Sequence, residues 1–200
     1  MSVGILSVGI GISAGTLIGI FSAYTGGKID LAIQRVVDAL MAFPAIIMAL
    51  ALMAALGASQ TNVIVALVII LLPGAVRVVR SQVLSIKERE FVEAAVALGY
   101  SKARILFRHV VPNVLGPTIV YSTLTVPGFI MYEAILSFLG LGVESPNSSW
   151  GVLIKEGANF LETEIQLLLL PGLFFSLTLF SLNFLGDGLR DALDVKASKD

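Results

Sequence analysis

Four stretches of this 200-residue chain contain no Asp, Glu, Lys or Arg: residues 1–27, 39–76, 110–132 and 165–186. They are continuous apolar runs, not the alternation of apolar and polar positions that a closed β-barrel needs. Uncharged runs of about 18 or more residues are long enough to cross a bilayer as helices. The run 39–76 exceeds one helix and breaks at a turn-forming cluster, Gly57-Ala58-Ser59-Gln60-Thr61-Asn62. The pattern therefore predicts five spans, at about 3–24, 32–56, 62–84, 114–140 and 165–187. The expected architecture is an all-α polytopic membrane protein, with 1–200 forming one transmembrane domain.

Composition sharpens this. Apolar residues make up 56%, charged residues 14%, and mean hydropathy is +0.94, which excludes an ordinary soluble enzyme. Net charge is −1 and the cations are scattered, which argues against a nucleic-acid partner. With no cysteine there is no disulfide, thiolate metal site or cysteine nucleophile. The first run lacks a positively charged n-region and exceeds a signal-peptide core, so it reads as a retained span. Of the 13 Lys and Arg, only Lys155 falls on one side of the predicted spans. The positive-inside rule then puts 25–35, 85–113 and the tail after 187 in the cytoplasm, and the N-terminus, the 57–62 turn and the 141–164 loop outside. Gly26-Gly27-Lys28 lacks the spacing and the hydroxyl residue of a phosphate loop, so any ATP must be bound by another chain.

The cytoplasmic segment 85–113, SIKEREFVEAAVALGYSKARILFRHVVPN, is too long for a simple connector. Phe91, Ala94, Ala95 and Leu98 follow the i, i+3, i+4, i+7 spacing of one apolar helix face. Gly99 stands where a left-handed C-cap is wanted, and Ser101 is a candidate N-cap for a second short helix. That second helix carries Ile105, Leu106, His109 and Val110 on one side and is expected to stop at Pro112. An amphipathic helix lying on lipid normally has bulky apolar and Lys/Arg-rich faces. This stripe is rich in alanine and glutamate, which suits a protein groove better.

Glu93, Ala94, Ala95, Gly99 and Pro112 resemble the EAA loop of permease subunits of binding-protein-dependent ABC importers, whose pattern is EAA, three residues, Gly, nine residues, Ile, one residue, Leu-Pro. His109 and Val111 depart from it, but Phe107-Arg108-His109-Val110-Val111-Pro112-Asn113 resembles the dipeptide, oligopeptide and nickel branch. So do Arg35-Val36-Val37-Asp38 with Ala42-Phe43-Pro44, Ser137-Phe138-Leu139-Gly140-Leu141-Gly142, Ser149-Trp150-Gly151 and the stretch from Leu185 to Leu193. The likeness covers essentially the whole chain and is to the second permease of a pair. It implies the type I ABC importer permease fold, usually of six spans, so that this chain would lack the first. It also implies a multi-pass protein of the bacterial cytoplasmic membrane that translocates peptides, nickel or related small solutes. The implied partners are a second permease, two cytoplasmic ATPase subunits and an extracytoplasmic substrate-binding protein. The chain itself would be no enzyme and would need no cofactor. Glu93, Ala94, Ala95, Gly99, Tyr100, Ser101 and Pro112 would then belong to the coupling element that docks on an ATPase.

Several residues admit two readings. Glu133, the one acid deep in an apolar run, is either a pathway group that meets substrate or a structural carboxylate bonded within the bundle. Gly11, Gly15 and Gly19 form a small-residue ladder, read first as helix packing within the subunit. Arg35 and Asp38 read as an interfacial pair, and Asp187, Asp191 and Asp194 as a solvated helix face, not a calcium loop. His109, the sole histidine, cannot make a metal site alone. The outer loop 141–164 either meets the binding protein or packs on its own subunit. An ion-coupled secondary transporter would want ionisable midplane residues and repeated halves. A non-transporting scaffold would need no coupling loop.

Overall fold

The computed structural model describes residues 1–143 and 147–197, with side chains through residue 192. Glu144, Pro146 and Lys199, and the side chains of Asp194 and Lys196, lie outside the described residues. The described chain is helical, in the order α1 (Ser2–Thr25), α2 (Gly27–Met41), α3 (Ala45–Leu56), α4 (Gln60–Lys87), α5 (Glu90–Ala97), α6 (Lys102–Ile105), a π-helical turn (Leu106–Val110), α7 (Val111–Phe138), α8 (Trp150–Ala158) and α9 (Gln166–Ala197). Four helices are long and apolar enough to cross a membrane, and the pair α2–α3 supplies a fifth crossing if it is counted as one.

In that pair the span expected at about 32–56 is broken at Pro44. Its two helices are bent by 87°, with Pro44 extended at φ −57°, ψ 130° ahead of α3. A proline there has no N–H to continue α2 and disfavours helical backbone before it. α2 is also amphipathic in an inverted sense. Its polar positions Asp30, Gln34 and Asp38, at i, i+4 and i+8, all bond inward to α1 or α4, while Ile29, Leu31 and Val36 face outward. Asp38 pairs with Arg77 of α4 at 2.5 Å, not with the expected Arg35.

The break expected at 57–62 forms at 57–59, and residues 60–62 are the first turn of α4. Ser59 caps α4 by accepting from the Asn62 N–H at 3.1 Å, and the Asn62 amide donates to the Leu56 and Gly57 carbonyls. α1 lies against α4 along the glycine ladder. A Cβ at Gly15 would stand 2.4 Å from the Ala75 Cβ, and one at Gly19 would stand 2.8 Å from the Val76 carbonyl oxygen. The ladder thus serves packing inside the subunit.

The core has two parts. The outer one joins Val8 and Ile12 of α1, Met53 of α3, Leu67 and Leu71 of α4, and Phe129 and Leu136 of α7. The inner one joins Ile20 and Ala23 of α1, Val79, Val83 and Ile86 of α4, and Val92, Ala95, Ile105, Val110 and Val114 of the cytoplasmic segment and early α7. α8 returns from the outer loop onto α7 and α9: a Cβ at Gly151 would stand 2.0 Å from the Ala134 carbonyl oxygen, and Trp150 lies 6.2 Å from Phe175. α9 leaves most of its apolar surface exposed.

Candidate functional site

The cytoplasmic segment folds as an elbow. Only Glu88 and Arg89 separate α4 from α5, so the direction of α5 is set directly by the long helix above it. Val92 and Ala95, spaced i, i+3, are buried in the inner core. The opposite side is bare. Leu98 is 72% exposed and Val96 60%, and Phe91, Ala94 and Tyr100 are also exposed. The expected stripe of Phe91, Ala94, Ala95 and Leu98 is therefore split: Ala95 faces inward with Val92, and the other three form an outward apolar edge. Glu93 is exposed in the first turn of α5, where a carboxylate suits the helix dipole.

Gly99 terminates α5 as expected. Its φ is +74°, its N–H bonds to the Val96 carbonyl at 2.9 Å, and the Tyr100 N–H bonds to the Ala95 carbonyl at 3.1 Å. These are the paired bonds of a Schellman cap, which places a left-handed residue just after the helix. A Cβ at Gly99 would meet nothing within 4 Å, so the glycine is required by backbone conformation and not by crowding within this chain. Ser101 then caps α6, accepting from the Arg104 N–H at 3.4 Å. Tyr100 lies under the Arg104 guanidinium, 5.1 Å from it, and stacks beside His109 at 6.2 Å. Phe91 approaches the same imidazole at 6.2 Å, so His109 lies between the two arms of the elbow.

The second arm differs from expectation. Pro112 does not end it: α6, the π turn and α7 form one continuous helix from Lys102 to Phe138. The wide turn bonds the Val111 N–H to the Leu106 carbonyl, and the Asn113 side chain donates to the His109 carbonyl at 2.6 Å. Pro112 stands in the first turn of α7 directly after this π turn, where the widened backbone carries the helix past a residue that has no N–H to give. Ile105 and Val110 are buried and His109 half-buried, as their spacing implies.

Between the elbow, α4 and α7 lies a cavity of about 630 Å³, lined by Ser81, Gln82, Ser85, Arg89, Asn113 and Arg190 among others. The Gln82 Oε1 is buried without a hydrogen-bond partner among the described residues. Glu133 stands far from this cavity, near the outer end of α7. It is 1% exposed and accepts from the Ser137 hydroxyl at 2.8 Å, which in turn accepts from the Val143 N–H at 3.2 Å. Glu133 Oε2 has no partner among the described residues. Among those residues no three His, Asp or Glu gather as a metal cluster.

Sequence reasoning missed the groups that tie α1, α2 and α4 to one another and α1 to the elbow. Arg80 holds Asp30 bidentately at 2.7 and 2.6 Å, and Ser22 donates to the same carboxylate at 2.5 Å. The Tyr24 hydroxyl donates to the Lys102 carbonyl. Only the polar stripe at 30, 34 and 38 hinted at any of this.

Residues 15–199 match the family described as the binding-protein-dependent transport system inner membrane component. The oligopeptide transport system permease protein OppC of Haemophilus influenzae is 45% identical over 194 residues, covering 97% of this chain and 62% of that protein. OppC of Escherichia coli K12 is 46% identical over 171 residues, 86% of this chain and 57% of that protein. The dipeptide transport system permease protein DppC of Alkalihalophilus pseudofirmus is 40% identical over 196 residues, 98% of this chain and 64% of that protein. The chain thus spans about three fifths of the length of these curated relatives. Among solved structures, an inward-facing MetNI methionine ABC transporter matches with a TM-score of 0.77 at 18% identity, over 96% of this chain and 91% of that one. An amino acid ABC transporter solved with histidines matches at 0.65 and 14%, over 100% and 92%. These last two establish a shared fold, that of ABC importer permeases. With its membrane-crossing helices, its elbow and this match over nearly its whole length, the chain belongs to the family of inner-membrane components of binding-protein-dependent transport systems.

Proposed function

We propose that this chain is one permease half of an ABC importer that carries peptides inward across the cytoplasmic membrane, driven by separate ATPase subunits docked on the elbow. The observation that carries the docking is the outward edge of α5. Ala94, Val96 and Leu98 are bare, with Phe91 partly exposed beside them, on a helix whose other face is fixed in the core by Val92 and Ala95. A short helix held from behind and apolar in front fits a groove in another protein. Peptides are favoured as substrate by the OppC and DppC relatives; the nickel reading has no such support among them. The importer is completed by a second permease, two ATPases and an extracytoplasmic binding protein, with the chain contributing motion and half a pathway but no covalent chemistry. The polar cavity above the elbow suits the cytoplasmic mouth of that pathway, while Glu133 suits a brace at its outer end.

The test is site-directed cross-linking in membranes that actively take up labelled di- and oligopeptides. The probe belongs at Val96 or Leu98, since Ala95 is buried. Capture of an ATP-hydrolysing neighbour at these positions, with uptake lost on ATP depletion, is expected. Uptake that persists without any ATPase captured there overturns the docking.

A further inference from the structure

The elbow has an attachment that its covalent connections do not supply. α5 is tied to α4 through two residues, and α6 runs unbroken into α7. α1 has no such link, yet its last turn reaches the elbow. The Tyr24 hydroxyl donates to the main-chain carbonyl of Lys102, 78 residues away. Lys87, at the end of α4, closes the same corner: its Nζ donates to the Ala23 carbonyl at 3.2 Å and stands 5.6 Å from the centre of the Tyr24 ring. A bond to a backbone carbonyl fixes the path of the chain at 102 whatever side chain stands there.

From this corner α1 runs upward as a stiff rod. Its glycines abut the backbone of α4 at Val76 and the side chain of Ala75, and at its outer end a Cβ on Gly4 would stand 2.7 Å from Ile130 of α7. Ile130 is three residues from Glu133. One end of α1 is therefore held by the elbow, and the other rests on the outer part of the helix that the elbow leads into.

We propose that Tyr24 is a positioning residue for transport: its hydroxyl latches the elbow to α1, so that displacement of α5 is carried along α1 to the outer end of α7. The latch rests on the reading of α5 as the ATPase-docking element. It acts through main chain and helix packing and touches no substrate.

The experiment uses the assembled importer in proteoliposomes, with Tyr24→Phe, which keeps the ring beside Lys87 and removes only the hydroxyl. ATP hydrolysis and uptake of a labelled dipeptide are measured together. Because the chain has no cysteine, Leu17→Cys and Ala103→Cys can carry a pair of spin labels that report the α1–elbow distance. The expected result is an unchanged distance with and without nucleotide when Tyr24 is present. In Tyr24→Phe the distance shifts or broadens on nucleotide binding. Peptide moved per ATP falls about three- to tenfold, the ratio that one lost neutral hydrogen bond represents. A merely structural tyrosine would lower complex yield and hydrolysis together and leave that ratio alone; this result overturns the latch. So does a distance that changes with nucleotide in the Tyr24 protein, or a Tyr24→Phe importer that matches it throughout. Failure of any ATPase to assemble on the elbow removes the docking reading and the latch with it, whereas normal assembly with a silent Tyr24→Phe removes the latch alone.

Discussion

Replacing Gly99 separates what the elbow needs for folding from what it needs for docking. At φ +74° a side chain costs about 1–2 kcal/mol of backbone strain. No further penalty is expected inside this chain, because an added Cβ meets no atom within 4 Å. The strain falls on an eight-residue helix, whose outer face has no packing to hold it. A loss of about 1–2 kcal/mol lowers the occupancy of the capped geometry about 5–30-fold relative to its frayed alternatives. Gly99→Ala should therefore insert and pair with its partners in the membrane, yet transport several-fold more slowly. Asn tolerates the left-handed region better than Ala, so Gly99→Asn should recover much of the loss if backbone conformation is the whole requirement. Gly99→Asp adds a charge to the surface proposed to enter a groove and should abolish transport while insertion persists. The assays are membrane yield, co-purification of the ATPase and initial uptake rate, compared across the three variants. Normal transport by Gly99→Asp would refute the docking argument. Equal loss in Ala and Asn variants would refute the assignment of the effect to φ and point to the partner's surface instead.

Other perturbations have directions set by the same geometry. Leu98→Asp, on the exposed edge of α5, should leave thermal stability within about 0.5 kcal/mol but release the ATPase on purification, whereas Val92→Asp buries a charge in the inner core and should prevent accumulation in the membrane. Gly15→Leu drives a side chain into Ala75, where even a Cβ would stand at 2.4 Å, and should cost about 1–3 kcal/mol by overpacking. Gly9→Leu, with nothing within 4 Å of the added Cβ, is the matched control and should be silent in a detergent melting assay. Asp30→Asn should lower the melting temperature more than Asp38→Asn. The first pair is bidentate with side chains 15% and 29% exposed, the second monodentate with 56% and 50% exposed, and exposed pairs contribute only about 0.2–1 kcal/mol. A larger effect from Asp38 would show that burial does not rank these pairs.

The spans were legible because length and lack of charge are properties of a run and need no partner. The Schellman turn was legible because Gly99 and Ser101 are local signals, a left-handed cap followed by an N-cap. What escaped depends on tertiary neighbours. The stripe on α5 reads equally well with Ala95 beside Phe91 or beside Val92, and only Val83 and Ile86 arriving from α4 decide which face turns inward. Pro112 signals a stop to any reader of propensities, but the helix widens into a π turn at 106–110 and continues past it without a break. The bend at Pro44 was visible as a residue but not as 87°, since helix continuity across a proline is set by what each half packs against. The pairing of Asp38 with Arg77, 39 positions along the chain, carries no local signature at all.

The division of the core bears on how an elbow could move anything. Its inner part takes α5, α6 and the π turn together with the lower ends of α1, α4 and α7; its outer part takes the upper ends of the same three helices with α3. If the inner part were loosely joined to the outer, a push on α5 would be absorbed between them. The glycine ladder prevents that. At Gly15 and Gly19, near the junction of the two parts, α1 and α4 stand so close that even a methyl group does not fit between them, and close-packed contacts transmit displacement instead of yielding to it. The Arg80–Asp30 pair, with Ser22 on the same carboxylate, ties α2 to α4 and α1 just below that junction. α1 and α4, braced at this level and shared by both cores, are held to tilt together. α9 packs on α7 and α8 and is largely bare on its remaining surface, which on the proposed reading would face lipid or a partner subunit. A close-packed α1–α4 pair running through both cores follows from the packing, and on the docking proposal it is the route by which work done at Leu98 would reach the outer face.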